Sequence, residues 1–211
     1  MKILNLYAGI GGNRKLWGDK CEVIAVENDP AIAAIYKDFF PDDEVIVADA
    51  HIYLLAAMEN SSDFDFIWSS PPCPTHSRMN TLLVGRKIIQ PRYPDMKLYE
   101  EILLLKHWFK GKYTVENVRS YYDPLIPPLD IQNHYFWANF SIPPTGESRK
   151  KVRNDKGHTL AFKMKQQGIE IADWHGYKGD KRTLINNMVE PELGLHILNA
   201  SQKIIKQGAL L

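Results

Sequence analysis

Apolar residues recur along the chain in two rhythms. Short, nearly unbroken apolar runs fall at residues 2–7, 23–26, 44–48, 64–69 and 113–118. Each is strand-length and bounded by glycine, proline or charged residues, as expected of strands buried on both faces. Between them lie stretches whose apolar positions are spaced by three and four, at residues 30–40, 52–58 and 96–109. These predict helices, and Pro30 stands at the first turn of its helix, where a missing N–H costs nothing. A further helix is expected to begin at residues 13–18. Residues 135–140 and 161–165 are weaker strand candidates, and the proline-bearing stretches 124–128 and 141–146 read as loops. Strands alternating with helices build βαβ units, so the expected class is α/β with a mostly parallel sheet and helices on both faces. No repeat, low-complexity tract or clear linker interrupts the pattern.

Composition narrows this little. The 211 residues are 45% hydrophobic and 24% charged, enough for one domain with a full core. No apolar run approaches the roughly 20 residues of a membrane helix. The chain starts directly on a strand, so no signal or transit peptide is expected, and no membrane partner. Two cysteines, Cys21 and Cys73, do not make a disulfide scaffold and suggest a reducing cytoplasm. Charge adds more. Residues 1–70 carry 5 Lys/Arg against 12 Asp/Glu, and residues 71–211 carry 21 against 13. The densest basic run is Arg149-Lys150-Lys151-Val152-Arg153, followed by Lys156, Lys163 and Lys165. Such a run is either a solvated loop or a phosphate-facing surface.

Two constellations carry candidate chemistry. In the first, Tyr7-Ala8-Gly9-Ile10-Gly11-Gly12 leads out of the first strand through three glycines, which let backbone approach a ligand closely. Glu27 ends the second strand, 18 residues after Gly9, where a carboxylate can accept both hydroxyls of a ribose. Asp49 ends the third strand and can accept from an adenine amino group or cap the next helix. The glycines do not follow G-x-G-x-x-G, which points away from a dinucleotide and towards an adenosine without a pyrophosphate, as in S-adenosylmethionine.

In the second, Ser69-Ser70-Pro71-Pro72-Cys73-Pro74-Thr75-His76-Ser77 ends the fourth strand. Its prolines must stop the ladder, leaving Cys73 on a stiff loop at a carboxyl edge, where open α/β sheets bind ligands. Glu116 ends the fifth strand, so the two side chains can converge. A Glu closing a buried strand needs a partner or a task. A lone buried Cys is otherwise a small hydrophobe. Cys73 and His76 could form half a metal site, but no second ligand pair accompanies them, and no metal is expected.

Taken in order, these stretches resemble the C5-cytosine DNA methyltransferase family, in its compact, bacteriophage-type form. Residues 7–12 are similar to its cofactor motif, Pro71-Pro72-Cys73 with Ser77 to its nucleophile loop, and Glu116-Asn117-Val118 to its second catalytic motif. Asn187-Met188-Val189-Glu190-Pro191 is similar to its closing motif. The resemblance implies a Rossmann-like class I S-adenosylmethionine-dependent fold. It assigns Tyr7, Ala8, Gly9, Gly11, Gly12, Glu27, Asn28, Asp49, Ala50, Pro72, Leu98, Asn187 and Val189 to S-adenosylmethionine. Cys73 is implied as the nucleophile that attacks carbon 6 of a flipped-out cytosine, and Glu116 as the group that protonates or hydrogen-bonds N3. A free thiol needs activation, for which His76 and Arg78 are the local cation candidates. The segment from Arg78 to Asp95, with Arg86, Lys87 and Arg92, is expected to be a loop with the length and charge to close over double-stranded DNA. With Ser77, and with Arg149, Lys150, Lys151 and Arg153, these residues form the implied nucleic-acid contacts.

The chain departs from the family pattern at three places. Pro74 follows the cysteine where the family has Gln. Gln132 and His134 stand where the family presents two arginines to the flipped base, and Arg119 is a candidate substitute. Finally, only 47 residues separate Asn139 from Asn187, where the family places a sizeable recognition domain. The expected division is a catalytic domain of residues 1–140 and 184–211, with 141–183 as a minimal target-recognition region. Restriction protection, evasion of restriction and regulation all fit such an enzyme. A homodimer or accessory chain for target recognition, an RNA substrate, and a catalytically silent DNA-binding regulator of the same fold stay open at this level.

Overall fold

The computed structural model of the protein describes residues 1–60, 63–90, 92–145 and 159–203. Seven strands form one sheet: β1 (Lys2–Leu6), β2 (Glu22–Glu27), β3 (Glu44–Val47), β4 (Phe66–Ser69), β5 (Lys112–Val118), β6 (Leu129–Ile131) and β7 (His134–Ala138). Their order is β3-β2-β1-β4-β5-β7-β6. The first five are parallel, and β7 runs antiparallel between β5 and β6. Helices α1 (Pro30–Phe39), α2 (Ala50–Glu59) and α4 (Lys97–Trp108) make the crossovers, as the spacing predicts. Asp29 caps α1 and Asp49 caps α2, each accepting two backbone N–H groups of the first turn.

The sheet separates two large apolar clusters. One packs Leu4, Leu6, Leu54, Ile67, Ile102, Leu105 and Val115 under α2 and α4. The other packs Trp17, Phe66, Trp68, Phe136 and Ile197 under α7 (Pro191–Gln202). The remaining helices are α3 (Arg78–Gly85), α5 (Leu160–Gln166) and α6 (Lys181–Asn186).

Three sequence expectations change. Residues 13–18 form successive turns, not a helix. The Arg14 guanidinium there is drawn into a buried two-point pair with Asp43 and also donates to the Gly18 carbonyl. Asn13 is fixed separately by the Asn5 side chain. These fixed bonds replace the i to i−4 ladder. Residues 161–165 are helical, within α5, whose first turn is capped by Thr159. The alternation that suggests a strand there lies on a one-sided surface helix none of whose residues is buried. Finally, β6 adds a strand that the periodicity does not predict. It pairs with β7 across a two-residue turn, Gln132-Asn133, both with positive φ (50° and 71°). That is the backbone of a type I′ hairpin.

Candidate active site

All the site residues that the described structure brings together lie along the carboxyl edge of the parallel strands. Tyr7 comes after β1 with φ 55°, and Gly9 has the same value. A Cβ on Gly9 would meet nothing within 4 Å, so this turn faces open space instead of packed protein. Gly12 does the opposite: a Cβ there would lie 2.5 Å from the Val189 carbonyl. The closing segment 187–189 therefore sits directly on the glycine turn.

Two connected clefts lie above these loops. One, of about 560 Å³, is lined by Tyr7, Glu27, Asn28, Asp49, Ala50, Pro72 and Leu98, with His51, His76, Asp95 and Lys97. The other, of about 1110 Å³, is lined by Tyr7, Ala8, Gly9, Gly12, Glu27, Pro72, Cys73, Glu116, His134, Asn187 and Val189. Tyr7, Glu27, Pro71 and Pro72 line both, so the first cleft opens into the second.

Glu27 is buried, and its two carboxylate oxygens accept from the Gly9 and Asp29 N–H groups at 2.9 and 3.0 Å. Burial pushes its carboxyl up, against these backbone bonds. Each oxygen keeps lone-pair capacity for a ribose hydroxyl. Asp49 spends one oxygen, Oδ1, on the N-cap of α2, and it also lines the smaller cleft. Of the residues that the resemblance assigns to the cofactor, only Gly11 lies off the cleft lining. A Cβ there would collide with the Phe40 and Tyr36 rings, so this glycine serves packing. A buried carboxylate with acceptor capacity to spare, apolar Leu98 and Ala50, and the open turn at Gly9 together fit an adenosine carrying a short side chain.

The reacting end is built by β4 and β5. Cys73 begins a tight turn in which the His76 and Ser77 N–H groups both donate to its carbonyl. Asn117 Nδ2 donates to the Pro71 carbonyl at 2.9 Å, and an isolated bridge joins Ser77 to Ser120. The loop is thereby fixed to the end of β5. Burial, and then the Glu116 carboxylate, push the Cys73 thiol up. Burial also pushes Glu116 to about 7, opposed by a hydrogen bond with Ser70. Both shifts act in one direction: ionisation of the thiol is disfavoured, and the carboxyl can keep a proton well above the ordinary carboxylate range.

Several expectations are corrected here. His76 does not act as a cation for Cys73. Its ring is buried, Nδ1 meets Tyr122 Oη at 2.6 Å, and burial lowers its pKa. Arg78 sends Nε to the Ser120 carbonyl at 3.1 Å and braces the loop. Arg119 is held by Asp130 and Asn133 on the β6–β7 hairpin and lines neither cleft. His134 does reach the cleft, with Nε2 3.9 Å from Glu116 Oε1. Gln132 sits at the hairpin tip and does not line either cleft. The stretch expected to be loop contains α3, capped by Ser77, with Arg86 and Lys87 exposed at its end and Arg92 exposed beyond. Arg149, Lys150, Lys151 and Arg153 lie outside the described residues.

Sequence reasoning missed Glu101. It is fully buried in α4 and accepts from Tyr7, His51 and Ser69. The signal was available: Glu101 interrupts the helical stripe Leu98, Ile102 and Leu105 at a position where the spacing demands an apolar residue.

The sheet order, with its antiparallel seventh strand and a cleft on the carboxyl edge, is that of the class I S-adenosylmethionine-dependent methyltransferase fold. Within that class, residues 1–83 match the family model described as C-5 cytosine-specific DNA methylase, a span running from β1 through the Cys73 loop into α3. Among solved structures, the chain is similar to the Entamoeba histolytica methyltransferase EhMeth. The identity is 13%, the match covers 95% of this chain and 97% of that one, and the TM-score is 0.53, a likeness of fold. It also matches a Spodoptera frugiperda DNMT2 mutant at 25% identity and TM-score 0.40, covering 56% of this chain and 35% of that one. A third match is a protein described as a DNA modification methyltransferase encoded within an E. coli prophage. It shows 14% identity and TM-score 0.46, with 78% and 54% covered. No curated protein matches the chain. Among the described residues no helix is long and apolar enough to cross a membrane, and no three His, Cys, Asp or Glu side chains cluster as a metal site.

Proposed function

We propose that this chain methylates carbon 5 of cytosine in DNA through a covalent adduct on Cys73. The observation that carries the reading is the pairing of Cys73 with a Glu116 carboxyl near pKa 7, in a cleft that opens into the Glu27 groove. S-adenosylmethionine, when bound in that groove, supplies an electrophilic methyl group. The chain's own residues do the rest. Carbon 5 of cytosine is a weak nucleophile until carbon 6 is attacked. Cys73 Sγ adds to carbon 6, and its thiol proton leaves to solvent at the cleft mouth. Glu116 gives its proton to N3 as charge builds there, which makes the ring enamine-like. A Glu with an ordinary pKa would be ionised at neutral pH and could not donate. His134 beside Glu116 offers a second donor to the base. After methyl transfer the carbon-5 proton is lost to solvent, N3 returns its proton to Glu116, and the sulfur leaves carbon 6 as a thiolate that takes a proton back from solvent.

The target atoms are hidden in a stacked duplex, so the base must be flipped out. The exposed basic groups of α3 and the loop after it, with residues 141–183 as a reduced recognition region, supply the DNA contacts in this reading. A duplex bearing 5-fluorocytosine tests it, because fluorine at carbon 5 cannot leave as a proton. The expected outcome is a denaturation-resistant complex that requires S-adenosylmethionine and is absent in Cys73→Ala, while that variant binds S-adenosylhomocysteine nearly as the parent does. Trapping on RNA instead would move the substrate. Trapping on neither would leave a silent binding protein.

A further inference from the structure

Glu101 is the most buried charge in the described structure that the proposed chemistry does not use, with no exposed surface. Its three hydrogen-bond donors come from three different segments. Tyr7 Oη donates to Oε1 at 2.5 Å, His51 Nδ1 meets the same oxygen at 3.0 Å, and Ser69 Oγ donates to Oε2 at 2.7 Å. An ionised carboxylate offers acceptors only, so it can serve all three donors at once. The bond to Glu101 is also the main reason the His51 pKa rises.

The placement of those donors gives the cluster its meaning. Tyr7 lines both clefts, and its φ of 55° is an unfavourable conformation for a tyrosine that its surroundings must hold. His51 is the second residue of α2 and lines the cofactor groove beside Asp49 and Ala50. Ser69 is the last residue of β4, four positions before Cys73. One carboxylate thus ties together the carboxyl ends of the neighbouring strands β1 and β4 and the start of α2.

We infer that Glu101 is a positioning residue that sets the cofactor groove and the Cys73 loop together, Oε1 serving the groove and Oε2 the loop. The inference rests on reading Cys73 as the nucleophile, but its test needs neither nucleic acid nor methyl transfer. Three variants are compared with the parent: Glu101→Gln, Tyr7→Phe and Ser69→Ala. Calorimetry gives the dissociation constant of S-adenosylhomocysteine. Mass spectrometry of the Cys73 peptide gives the iodoacetamide alkylation rate of that thiol separately from Cys21, and thermal melting reports folding.

A glutamine presents one acceptor and one donor where three donors converge. Glu101→Gln should weaken S-adenosylhomocysteine about tenfold and shift the Cys73 alkylation rate by about threefold or more. Tyr7→Phe should reproduce only the first change, and Ser69→Ala only the second. The inference is overturned if folded Glu101→Gln matches the parent in both readouts. It is equally overturned if Tyr7→Phe and Ser69→Ala each move both readouts in step with their melting temperatures, since that is general loosening. Should Glu101→Gln not fold, the two hydroxyl deletions decide the question on the same criteria.

Discussion

At the scale of single residues, Glu116 carries the sharpest consequence. Its folded pKa of about 7 stands above the ordinary 4.5. Between those values the folded protein holds a proton that the unfolded chain has released. Its stability is therefore greatest below about pH 4.5 with respect to this group and falls as pH rises towards 7. Glu116→Gln removes that loss. The variant should be more stable than the parent at pH 8 by roughly 1–3 kcal/mol, with the gap closing near pH 4.5, as measured by denaturant unfolding across that range. Methyl transfer should nevertheless fall, because an amide is a far weaker proton donor to N3. The two residues to which the proposed reaction is assigned stand out in the sequence because each breaks a local rule: a cysteine behind two prolines, a glutamate closing an apolar strand. The roles of His76 and Arg119 were not, because residue type and proximity along the chain do not reveal engagement. Tyr122 and Asp130 hold them, and both contacts depend on how the end of β5 folds back.

At the scale of elements, α7 shows how context reverses a propensity. Alanine usually improves a helix interior over glycine by about 1 kcal/mol. Gly194 lies in α7 against the turn at Asn13, and a Cβ there would come 2.3 Å from the Asn13 carbonyl oxygen and 2.7 Å from its Cα. These are backbone atoms that cannot swing away, and overpacking of this kind costs about 1–3 kcal/mol. Gly194→Ala should therefore lower the melting temperature, with a net loss of roughly 1–2 kcal/mol, and it should disturb the glycine turn that the same helix supports. A higher melting temperature would mean α7 stands off the turn. The contact also explains which elements could be read from the chain. The parallel strands announce themselves as short apolar runs buried on both faces, and their crossover helices by a spacing of three to four. Residues 13–18 and the β6–β7 hairpin are set by single long-range bonds and by two positive φ angles, which leave no period to read.

At the scale of the whole molecule, the chain divides its charge. The acidic first 70 residues supply Glu27 and Asp49 to the smaller cleft, and the excess of cations lies in residues 71–211. Arg149, Lys150, Lys151 and Arg153 belong to that excess, and as phosphate contacts they would position DNA without reading its bases. Each phosphate neutralised contributes about −0.9 to the slope of log affinity against log salt. Replacing the four by glutamine should flatten that slope by as much as about 3–4 while leaving the methylated sequence unchanged, as mapped by bisulfite on a modified plasmid. A changed sequence would give those cations a part in base readout. With only 47 residues between Asn139 and Asn187, the expected recognition sequence is short, on the order of two to four base pairs, at about 1–3 kcal/mol of discrimination per good contact. The fold class was legible at this scale. The shortness of the segment between Asn139 and Asn187 is visible in the sequence too, but base contacts are not, because readout depends on groove geometry instead of periodicity.

The protonated thiol beside Glu116 has a second meaning, outside turnover. Peroxide and disulfide reagents attack thiolates, and a sulfur held as a thiol by burial and a neighbouring carboxylate is a poor target for them. In the proposed reaction Cys73 would wait between encounters with its substrate as a thiol, and its reactivity would be reserved for a base that brings a ring nitrogen to Glu116. The burial that slows the first step would then also protect the idle protein from oxidative wear.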